Sequence, residues 1–405
     1  MISRPVSPLR KKLPIGIQTF AKIREGGGAY YYVDKTPHIL RLIDEGSHYF
    51  LSRPRRFGKS LLLDTIAELF EGRRELFEGL QAEQHWDWSQ RFPVIRISLG
   101  GGVLRNRAEL DQRLGELLRS LARRFGVECA DSSVPGRFSE LIQTLHARSG
   151  QRVVVLIDEY DKPILDNITE PEIARQMRDG LRNLYSVIKD EDSHIRFALL
   201  TGVSKFSKVS LFSGLNNLND ITVDARYSAI CGYTDADVEQ VFAPELLGLD
   251  RDEIRRWYNG YNWTGRSVYN PFDLLLLFDS RELKPYWFET GTPTFLVDLL
   301  LQRQTFAPDL EQFVALESLL SSFDVDEIAT EALMFQAGYL TIASVQRIGA
   351  QPRYTLRYPN HEVSSSLNNV LLRRYLPDNA AVMRNTGRLY ELLLANDFSG
   401  LQALF

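Results

Sequence analysis

The apolar positions in the first half of the chain fall into short runs that alternate with segments of helical periodicity. The runs are rich in β-branched and aromatic residues and lie at 48–51, 92–99, 153–157 and 196–200. Apolar side chains recur at helical spacing over 59–71, 107–125, 138–148 and 171–189. The run at 153–157 is continuously apolar, which is typical of a strand buried on both faces of a parallel sheet. The alternation predicts an α/β fold with a parallel sheet flanked by helices.

The pattern changes after about residue 230. Residues 231–320 are rich in helical periodicity and are interrupted by Pro271, Pro285 and Pro293. The next stretch, 321–380, predicts two helices, a hairpin and a further helix. The bounds of these elements are 324–328 and 330–337 for the helices, 339–345 and 354–358 for the strands, and 362–375 for the last helix. This order of elements indicates a winged-helix-like module.

Composition narrows the class of protein. The 405 residues carry a formal net charge of -4, so no global basic field points to nucleic acid. The two cysteines, Cys129 and Cys231, lie far apart, which excludes a zinc site of the usual spacing and a disulfide framework. The chain has no apolar signal core at its start and no apolar run of about 18 residues. We therefore expect a cytoplasmic protein without a membrane span.

The segment between the first predicted strand and the helix that follows carries a candidate phosphate-binding loop. Such a loop needs backbone N–H groups at a helix N-terminus, a lysine for the β- and γ-phosphates, and a hydroxyl for Mg²⁺. Gly58, Lys59 and Ser60 supply these groups in the required strand–loop–helix context. The spacing therefore predicts that ATP binds here.

The loop departs from the usual pattern in one place. The pattern has an earlier glycine where this chain has Arg53, and a β-carbon restricts the positive φ that glycine allows. The loop must then turn differently or rely on the fixed φ of Pro54. The loop arginines, Arg53, Arg55 and Arg56, are able to form charge-assisted hydrogen bonds with phosphate. A solvated basic turn explains the same residues, and the loop alone does not decide between the two.

A candidate partner for the loop follows the buried strand at 153–157. Asp158 stands at the carboxyl end of that strand, where ligands of open α/β sheets bind and where an acid can hold Mg²⁺. Glu159 is placed to act as a general base toward the attacking water. Asp161 is a reserve acid in the same turn, and a merely polar loop is the alternative interpretation. Together with Lys59 and Ser60 upstream, these acids predict one site for ATP and Mg²⁺.

The strand at 196–200 ends in Thr201, a candidate sensor of the γ-phosphate. Ser204 is the next candidate, and a simple strand-end turn explains both equally well. A cation could also reach the phosphate from further along the chain, and the candidates are Lys205, Lys208 and Arg226. For each of these three a solvated side chain is the simpler interpretation.

Several blocks of the sequence together resemble the bacterial and archaeal AAA-ATPase-like proteins. The resemblance runs from about residue 13 to the end and includes LSRPRRFGKS at 51–60 and LIDEYDKP at 156–163. Further blocks lie at 13–18, 32–36, 201–205, 212–218, 257–261, 269–272 and 286–291. The loop of this family has the form found here, so the resemblance implies that Arg53 does not mark an inactive site.

The resemblance implies a P-loop NTPase with a Walker A loop and a Walker B acid. Combined with the motifs above, it gives as catalytic residues Lys59, Asp158, Glu159 and Thr201. The expected Mg²⁺ ligands are Ser60 and Asp158. The expected ATP-binding residues are Arg55, Arg56, Phe57, Gly58, Lys59, Ser60, Leu61 and, near the adenine, Asp34.

The same resemblance suggests how the chain is divided. We expect a P-loop ATPase domain over 1–230, a helical lid or linker over 231–320 and the winged-helix-like module over 321–380. In the family the stretch matching 381–405 leads into a PD-(D/E)xK nuclease-like domain, whose acids and lysine have no matching positions here. Nuclease activity is therefore not predicted for this chain. A natural truncation, a split gene or a trimmed sequence would each explain the departure.

Three functions stay open at this point. The first is an ATPase that acts as a motor or switch for an attached or separate nuclease or DNA-processing partner. The second is a nucleotide-binding regulator with little turnover. The third is a DNA-binding module in the winged-helix-like region, whose basic residues are Arg347, Arg353, Arg357, Arg373 and Arg374. A solvated face explains these arginines more simply, and the sequence does not indicate an oligomeric state.

Overall fold

A computed structural model describes residues 10–205, 211, 217–291, 296–297, 300, 313–316, 329–349, 351–375 and 379–404. Lys208, residues 212–216 and the predicted helix at 324–328 lie outside this described part. Among the described helices, none has both the length and the apolar character needed to cross a membrane.

A five-stranded parallel sheet forms the centre of the first half of the chain. Its strands are β1 (His48–Ser52), β2 (Val94–Ser98), β3 (Val153–Asp158), β4 (Ile195–Gly202) and β5 (Asn219–Asp220). Their order across the sheet is β2-β3-β4-β1-β5, and every neighbouring pair is parallel. The predicted parallel sheet is confirmed, and β3 is buried along its whole length up to Asp158.

The strand order decides which residues can meet. Strand β4 lies between β1 and β3, and its register pairs Thr201 with Leu51 on one side and Leu200 with Ile157 on the other. Because all strands run in the same direction, their carboxyl ends lie along one edge of the sheet. The loop after β1, the acid at the end of β3 and Thr201 therefore come to the same edge.

Helices flank the sheet, and most agree with the predicted segments. They are α1 (Phe20–Gly28), α2 (Thr36–Glu45), α3 (Lys59–Phe70), α4 (Gln81–His85), α5 (Arg107–Phe125), α6 (Val134–Ser149), α7 (Lys162–Leu165) and α8 (Pro171–Asp190). Short 3-10 turns occur at Arg74–Phe77, Asp192–His194 and Ala225–Tyr227.

Local capping explains where α5 and α6 begin and end: α5 has the predicted bounds, whereas α6 begins at Val134, before the predicted start at 138. The Asn106 side chain accepts a hydrogen bond from the Glu109 amide at the start of α5, and Gly126 (φ 62°) follows its last residue. Ser133 and Gly150 bound α6 in the same way. These signals are short-range, so they can be recognised without knowledge of the tertiary structure.

After the sheet come further helices and then a second, smaller sheet. The helices whose bounds are described are α9 (Asp235–Val241), α10 (Arg251–Tyr258), α11 (Pro271–Ser280) and α12 (Tyr286–Gly291). The three-stranded antiparallel sheet comprises β6 (Phe313–Leu316), β7 (Thr341–Ile348) and β8 (Gln351–Arg357) in the order β6-β8-β7. The accompanying helices are α13 (Thr330–Ala337), α14 (His361–Tyr375), α15 (Asn379–Leu394) and α16 (Phe398–Leu404).

The C-terminal prediction holds in part. The helix α13, the β7–β8 hairpin and the helix α14 are found as predicted. Strand β6 lies within a stretch predicted to be helical, so that part of the prediction is wrong. Its pairing with β8, which joins Phe313 to Leu356, is a long-range contact that the periodicity of a short apolar run does not reveal. The winged-helix-like module is not confirmed, because the predicted helix at 324–328 lies outside the described residues.

A pair of buried carboxyl groups lies on α11 and α14. Asp273 and Glu362 are both fully buried, and the neighbouring Glu362 carboxyl contributes to the raised pKa of Asp273. No hydrogen bond with a described residue is found for either Asp273 oxygen. Glu362 accepts the amide N–H groups of Trp287 at 2.9 Å and Phe288 at 3.2 Å. Burial raises the pKa of Asp273 well above its usual range and that of Glu362 to about 7.

The variant Glu362→Gln tests the raised pKa of this buried carboxyl. The folded protein keeps a proton that the unfolded chain releases near the ordinary glutamate pKa of about 4.3, so this contribution to stability is lost as the pH rises from about 5 to about 7. The variant lacks this titrating group. We therefore expect its free energy of unfolding, measured with urea, to rise relative to wild type across this pH window. Glu78→Gln, at an exposed carboxyl, should follow the wild type, whereas parallel profiles for wild type and Glu362→Gln would contradict the raised pKa.

Candidate functional site

The phosphate loop joins β1 to α3 through two residues in the left-handed region. Arg56 has φ 69° and Gly58 has φ 89°, and Gly58 is the N-cap of α3. Glycine adopts this conformation without strain, whereas an arginine does so only when the surrounding structure imposes it. The turn places Lys59 and Ser60 in the first turn of α3, at the edge where the strands end.

The carboxylate of Asp158 brings three elements together. It accepts a hydrogen bond from the Ser60 hydroxyl at 2.5 Å and another from the Thr201 hydroxyl at 2.8 Å. Ser60 and Asp158 are 98 positions apart in the sequence. The structure therefore places the first turn of α3 and the ends of β3 and β4 in direct contact.

Lys59 is buried at the same edge. Its ammonium group donates to the main-chain carbonyls of Arg53 at 2.9 Å and Pro54 at 3.0 Å. Burial lowers the pKa of this ammonium, while the nearby Asp158 carboxylate opposes the shift. Main-chain carbonyl oxygens of the loop therefore bind the Lys59 ammonium.

Glu159 follows Asp158 in a left-handed conformation, with φ 53°. Its amide donates to the Asp158 carboxylate at 3.1 Å. Partial burial raises the pKa of the Glu159 carboxyl, and the neighbouring negative charge of Asp158 raises it further. A carboxylate with a raised pKa is a stronger base, which suits a group that accepts a proton.

Asp161 holds two turns together. Its carboxylate accepts the amide N–H groups of Val203 at 3.0 Å and Ser204 at 2.6 Å, and it also accepts the Ser204 hydroxyl. Burial raises the pKa of Asp161, and these hydrogen bonds oppose the shift. Because the bonds tie the turn after β3 to the turn after β4, Asp161 and Ser204 fix the position of Thr201 relative to Asp158.

A cavity of about 510 Å³ adjoins these residues. Its polar end includes Lys59, Ser60 and Glu159. Its opposite wall is largely apolar and is formed by Pro14, Ile17, Tyr31, Val33, Ile230, Tyr233, Phe272 and Leu275. This volume and this division into a polar and an apolar end are typical of cofactor-sized sites.

Comparison with known proteins agrees with this geometry. A family model described as a predicted AAA-ATPase matches residues 14–212. A protein of Azotobacter chroococcum mcd 1, called "Uncharacterized protein in vnfD 5'region", is 70% identical over 396 residues, which cover 98% of this chain and 77% of the relative. The chain belongs to the AAA-ATPase-like family. The matched segment contains β1 to β4, the phosphate loop and Asp158, whereas the name of the relative states no activity.

Arg53 occupies the position at which the usual phosphate-loop pattern has a glycine, and its side chain has a structural role. The guanidinium is fully buried and donates to the carbonyls of Ser52, Thr222 and Tyr227 at 2.8, 2.8 and 3.1 Å. It also stacks on the Trp263 ring at 4.0 Å. Burial lowers the pKa of Arg53 to about 10. The side chain therefore binds main-chain oxygens beneath the loop.

The next loop residues differ from Arg53 in their exposure. Arg55 and Arg56 are exposed and line the cavity, and the guanidinium of Arg56 stacks on the Phe272 ring at 4.7 Å. Phe57 is buried and packs edge-on against the rings of Tyr261 and Trp263. Of the three arginines, only Arg55 and Arg56 present their side chains to the cavity.

The remaining predicted ATP contacts are divided between the cavity and its surroundings. Leu61 lines the cavity. Asp34 is not among the described residues that line the cavity. Its carboxylate instead accepts the amide N–H groups of Thr36 at 2.8 Å and Gln81 at 2.9 Å. Its neighbours Val33 and Lys35 line the cavity instead. Contact between Asp34 and the nucleotide stays a prediction.

The candidate cations further along the chain have other partners. Lys205 forms an ion pair with Asp220, and Arg226 pairs with Asp224 and Glu45. Lys208 lies outside the described residues. The Arg226 side chain is 53% exposed, which agrees with a solvated side chain, whereas the Lys205 side chain is only 17% exposed, so that interpretation is wrong for Lys205.

The sequence interpretation missed most of the apolar wall. Helix α11 contributes Phe272 and Leu275, and the segment before α9 contributes Ile230 and Tyr233. For the residues on α11 the signal was the block at 269–272, which carried the resemblance without a site being assigned to it. In that block Asn270 caps α11 by accepting the Phe272 amide, so a recognisable helix start marks one wall of the cavity.

The variants Arg53→Lys and Arg55→Lys distinguish a structural from a phosphate-binding arginine. Lysine cannot reproduce the planar fork that reaches three carbonyls, so Arg53→Lys should lower the free energy of unfolding by about 3 kcal/mol. Arg55→Lys, at an exposed position, should leave it unchanged. Both values come from chemical denaturation. Unchanged stability with weaker ATP binding in Arg53→Lys would show that Arg53 binds phosphate instead.

Proposed function

We propose that this chain binds ATP with Mg²⁺ in the cavity and hydrolyses it. The proposal is supported above all by the contacts of Asp158, which receives the hydroxyl groups of Ser60 at 2.5 Å and Thr201 at 2.8 Å. A polar loop that only connects two elements would not require a helix N-terminus, a lysine and an acid to lie together at one edge of a sheet. Membership of the predicted AAA-ATPase family supports the same activity.

The donor groups at this edge fit Mg²⁺. The Ser60 hydroxyl and the Asp158 carboxylate touch each other, and oxygen ligands of these two kinds are the ones that Mg²⁺ takes beside nucleotide phosphates. We assign Ser60 and Asp158 as its ligands. When bound, Mg²⁺ would neutralise charge on the phosphates.

The residues around the cavity then have separate roles in ATP binding and hydrolysis. The amides at the N-terminus of α3 face the phosphates, and Lys59 exchanges its bonds to the Arg53 and Pro54 carbonyls for phosphate oxygens. Glu159 accepts a proton from the attacking water. Thr201 donates its hydroxyl to Asp158 at 2.8 Å, but it is fully buried and is not among the described residues that line the cavity, so its contact with the γ-phosphate stays a prediction. The apolar wall formed by α11 and the segment at 230–233 receives the base.

Two substitutions separate binding from hydrolysis. Lys59→Ala removes the cation at the phosphate end, so ATP binding measured by calorimetry should be lost. Glu159→Gln keeps the shape of the side chain but not its basicity, so ATP should still bind while phosphate release falls by about 100-fold or more. Lys189→Ala, at an exposed lysine of α8, should behave as wild type.

The same assays identify the alternative. Retained ATP binding in Lys59→Ala would mean that the site lies elsewhere. If wild type binds ATP but releases phosphate no faster than Glu159→Gln, the protein is a nucleotide-binding regulator with little turnover.

The structure offers a path from the nucleotide to the C-terminal part, which supports a motor or switch. Helix α11 lines the cavity through Phe272 and Leu275, and on the same helix the buried Asp273 neighbours Glu362 of α14. A shift of α11 when the cavity fills would therefore move α14. The family resemblance makes a nuclease domain or a DNA-processing partner the target that we propose for this movement.

A second candidate function is DNA binding by the β7–β8 hairpin. Arg347 and Arg357 are exposed on this hairpin, and neither forms an ion pair with a described residue. Such cations are available to phosphate groups of a duplex.

Duplex binding by the full chain tests this second function. If the hairpin binds DNA, the double variant Arg347→Ala/Arg357→Ala should weaken affinity and reduce the slope of log K against log salt by about 2. The matched control is Arg119→Ala/Arg123→Ala, at exposed positions of α5. No duplex binding by wild type at low salt would exclude this function.

A further inference from the structure

The turn that follows β2 touches the group to which we assign the proton transfer. Gly100 lies on this turn and lines the same cavity as Glu159. A Cβ built on Gly100 would lie 2.6 Å from a carboxylate oxygen of Glu159 and 3.1 Å from its carboxyl carbon. Since real Cβ contacts are essentially never shorter than 3.0 Å, the Glu159 carboxylate occupies space that any side chain at Gly100 would need.

No hydrogen bond holds the Glu159 carboxylate among the residues that the structure describes. The backbone of Glu159 is in the left-handed region, with φ 53°. The outer limit of the carboxylate is set by contact with Gly100. The backbone at Gly100 is therefore the surface against which the carboxylate rests.

This surface is fixed relative to the acidic segment on both sides. Before Gly100, the amide of Leu99 donates to the carbonyl of Asp158 at 3.1 Å. After it, the carbonyl of Gly102 accepts the Lys162 ammonium at 2.7 Å, and Lys162 also pairs with Asp166. The turn is consequently fixed relative to the backbone of the segment that carries Glu159.

We infer that Gly100 is a positioning residue for the hydrolysis, because its lack of a side chain sets where the Glu159 carboxylate stands. The inference rests on the proposed function. A base must be held to within about 0.5 Å of its productive position, and a misplacement of about 1 Å can lower a rate about 100-fold. An added Cβ moves the carboxylate by several tenths of an ångström, and the displaced atoms are the end of a flexible side chain. The fold should therefore tolerate a change that the reaction does not.

The test compares Gly100→Ala with Gly101→Ala in steady-state phosphate release, ATP binding and thermal unfolding. Gly100→Ala should lower kcat by about 10- to 100-fold while the Kd for ATP and the Tm stay at wild-type values. Gly101 neighbours it in the turn, but a Cβ there faces the flexible end of Arg113 at 3.1 Å. Gly101→Ala should therefore keep the wild-type kcat.

A double-mutant cycle separates positioning from a general effect on the turn. In a Glu159→Ala background no carboxylate remains to be displaced, so adding Gly100→Ala should change the residual kcat by less than about twofold. A wild-type kcat in Gly100→Ala would overturn the inference. So would a loss of equal size in the Glu159→Ala background, or a loss confined to ATP binding.

The outcome is distinguishable from failure of the proposed function itself. If wild type and Glu159→Gln release phosphate at the same rate, the hydrolysis is absent and the inference about Gly100 falls with it. If wild type is faster than Glu159→Gln and equal to Gly100→Ala, only the inference about Gly100 fails.

Discussion

The contact between the Asp158 carboxylate and two hydroxyl groups is the one on which the rest of the site depends. It joins Ser60 in the first turn of α3 to Thr201 at the end of β4, so three chain segments meet at a single side chain. A carboxylate is suited to this position because its two oxygens accept several hydrogen bonds at once. The contact is possible because β4 lies between β1 and β3, which places Thr201 beside both the loop and the acid.

Burial sets the electrostatic character of this edge. It lowers the pKa of Lys59 and raises the pKa of Glu159, and in each case the shift favours the neutral form. Opposite charges placed side by side reduce the cost of keeping Lys59 charged beside Asp158. Burying the charged guanidinium of Arg53 beneath the loop is also unfavourable. Three main-chain carbonyls and the Trp263 ring replace water around it and reduce that cost. The arginine that departs from the usual loop pattern thus supports the loop from below.

The C-terminal part is linked to the cavity through buried polar groups as well as apolar packing. Helix α11 has Phe272 on the cavity and Asp273 against Glu362 of α14. An apolar contact tolerates small displacements, whereas a buried carboxyl group depends on defined polar partners. Glu362 has such partners in the amides of Trp287 and Phe288, which tie α14 to α12.

The sequence by itself determined the parallel sheet, most helix bounds and the candidate phosphate loop and acid, because strand burial, capping and the Gly-Lys-Ser spacing are local patterns. It could not assign Arg53, whose three carbonyl partners come from β1 and from distant turns. It also missed β6, which exists through pairing with β8, and the cavity wall on α11. The close approach of the Glu159 carboxylate to Gly100 could not be predicted from the sequence either, since it depends on how β2 and β3 align. Only the tertiary structure decided these features, because each is a contact between segments whose separation along the chain carries no periodic signal.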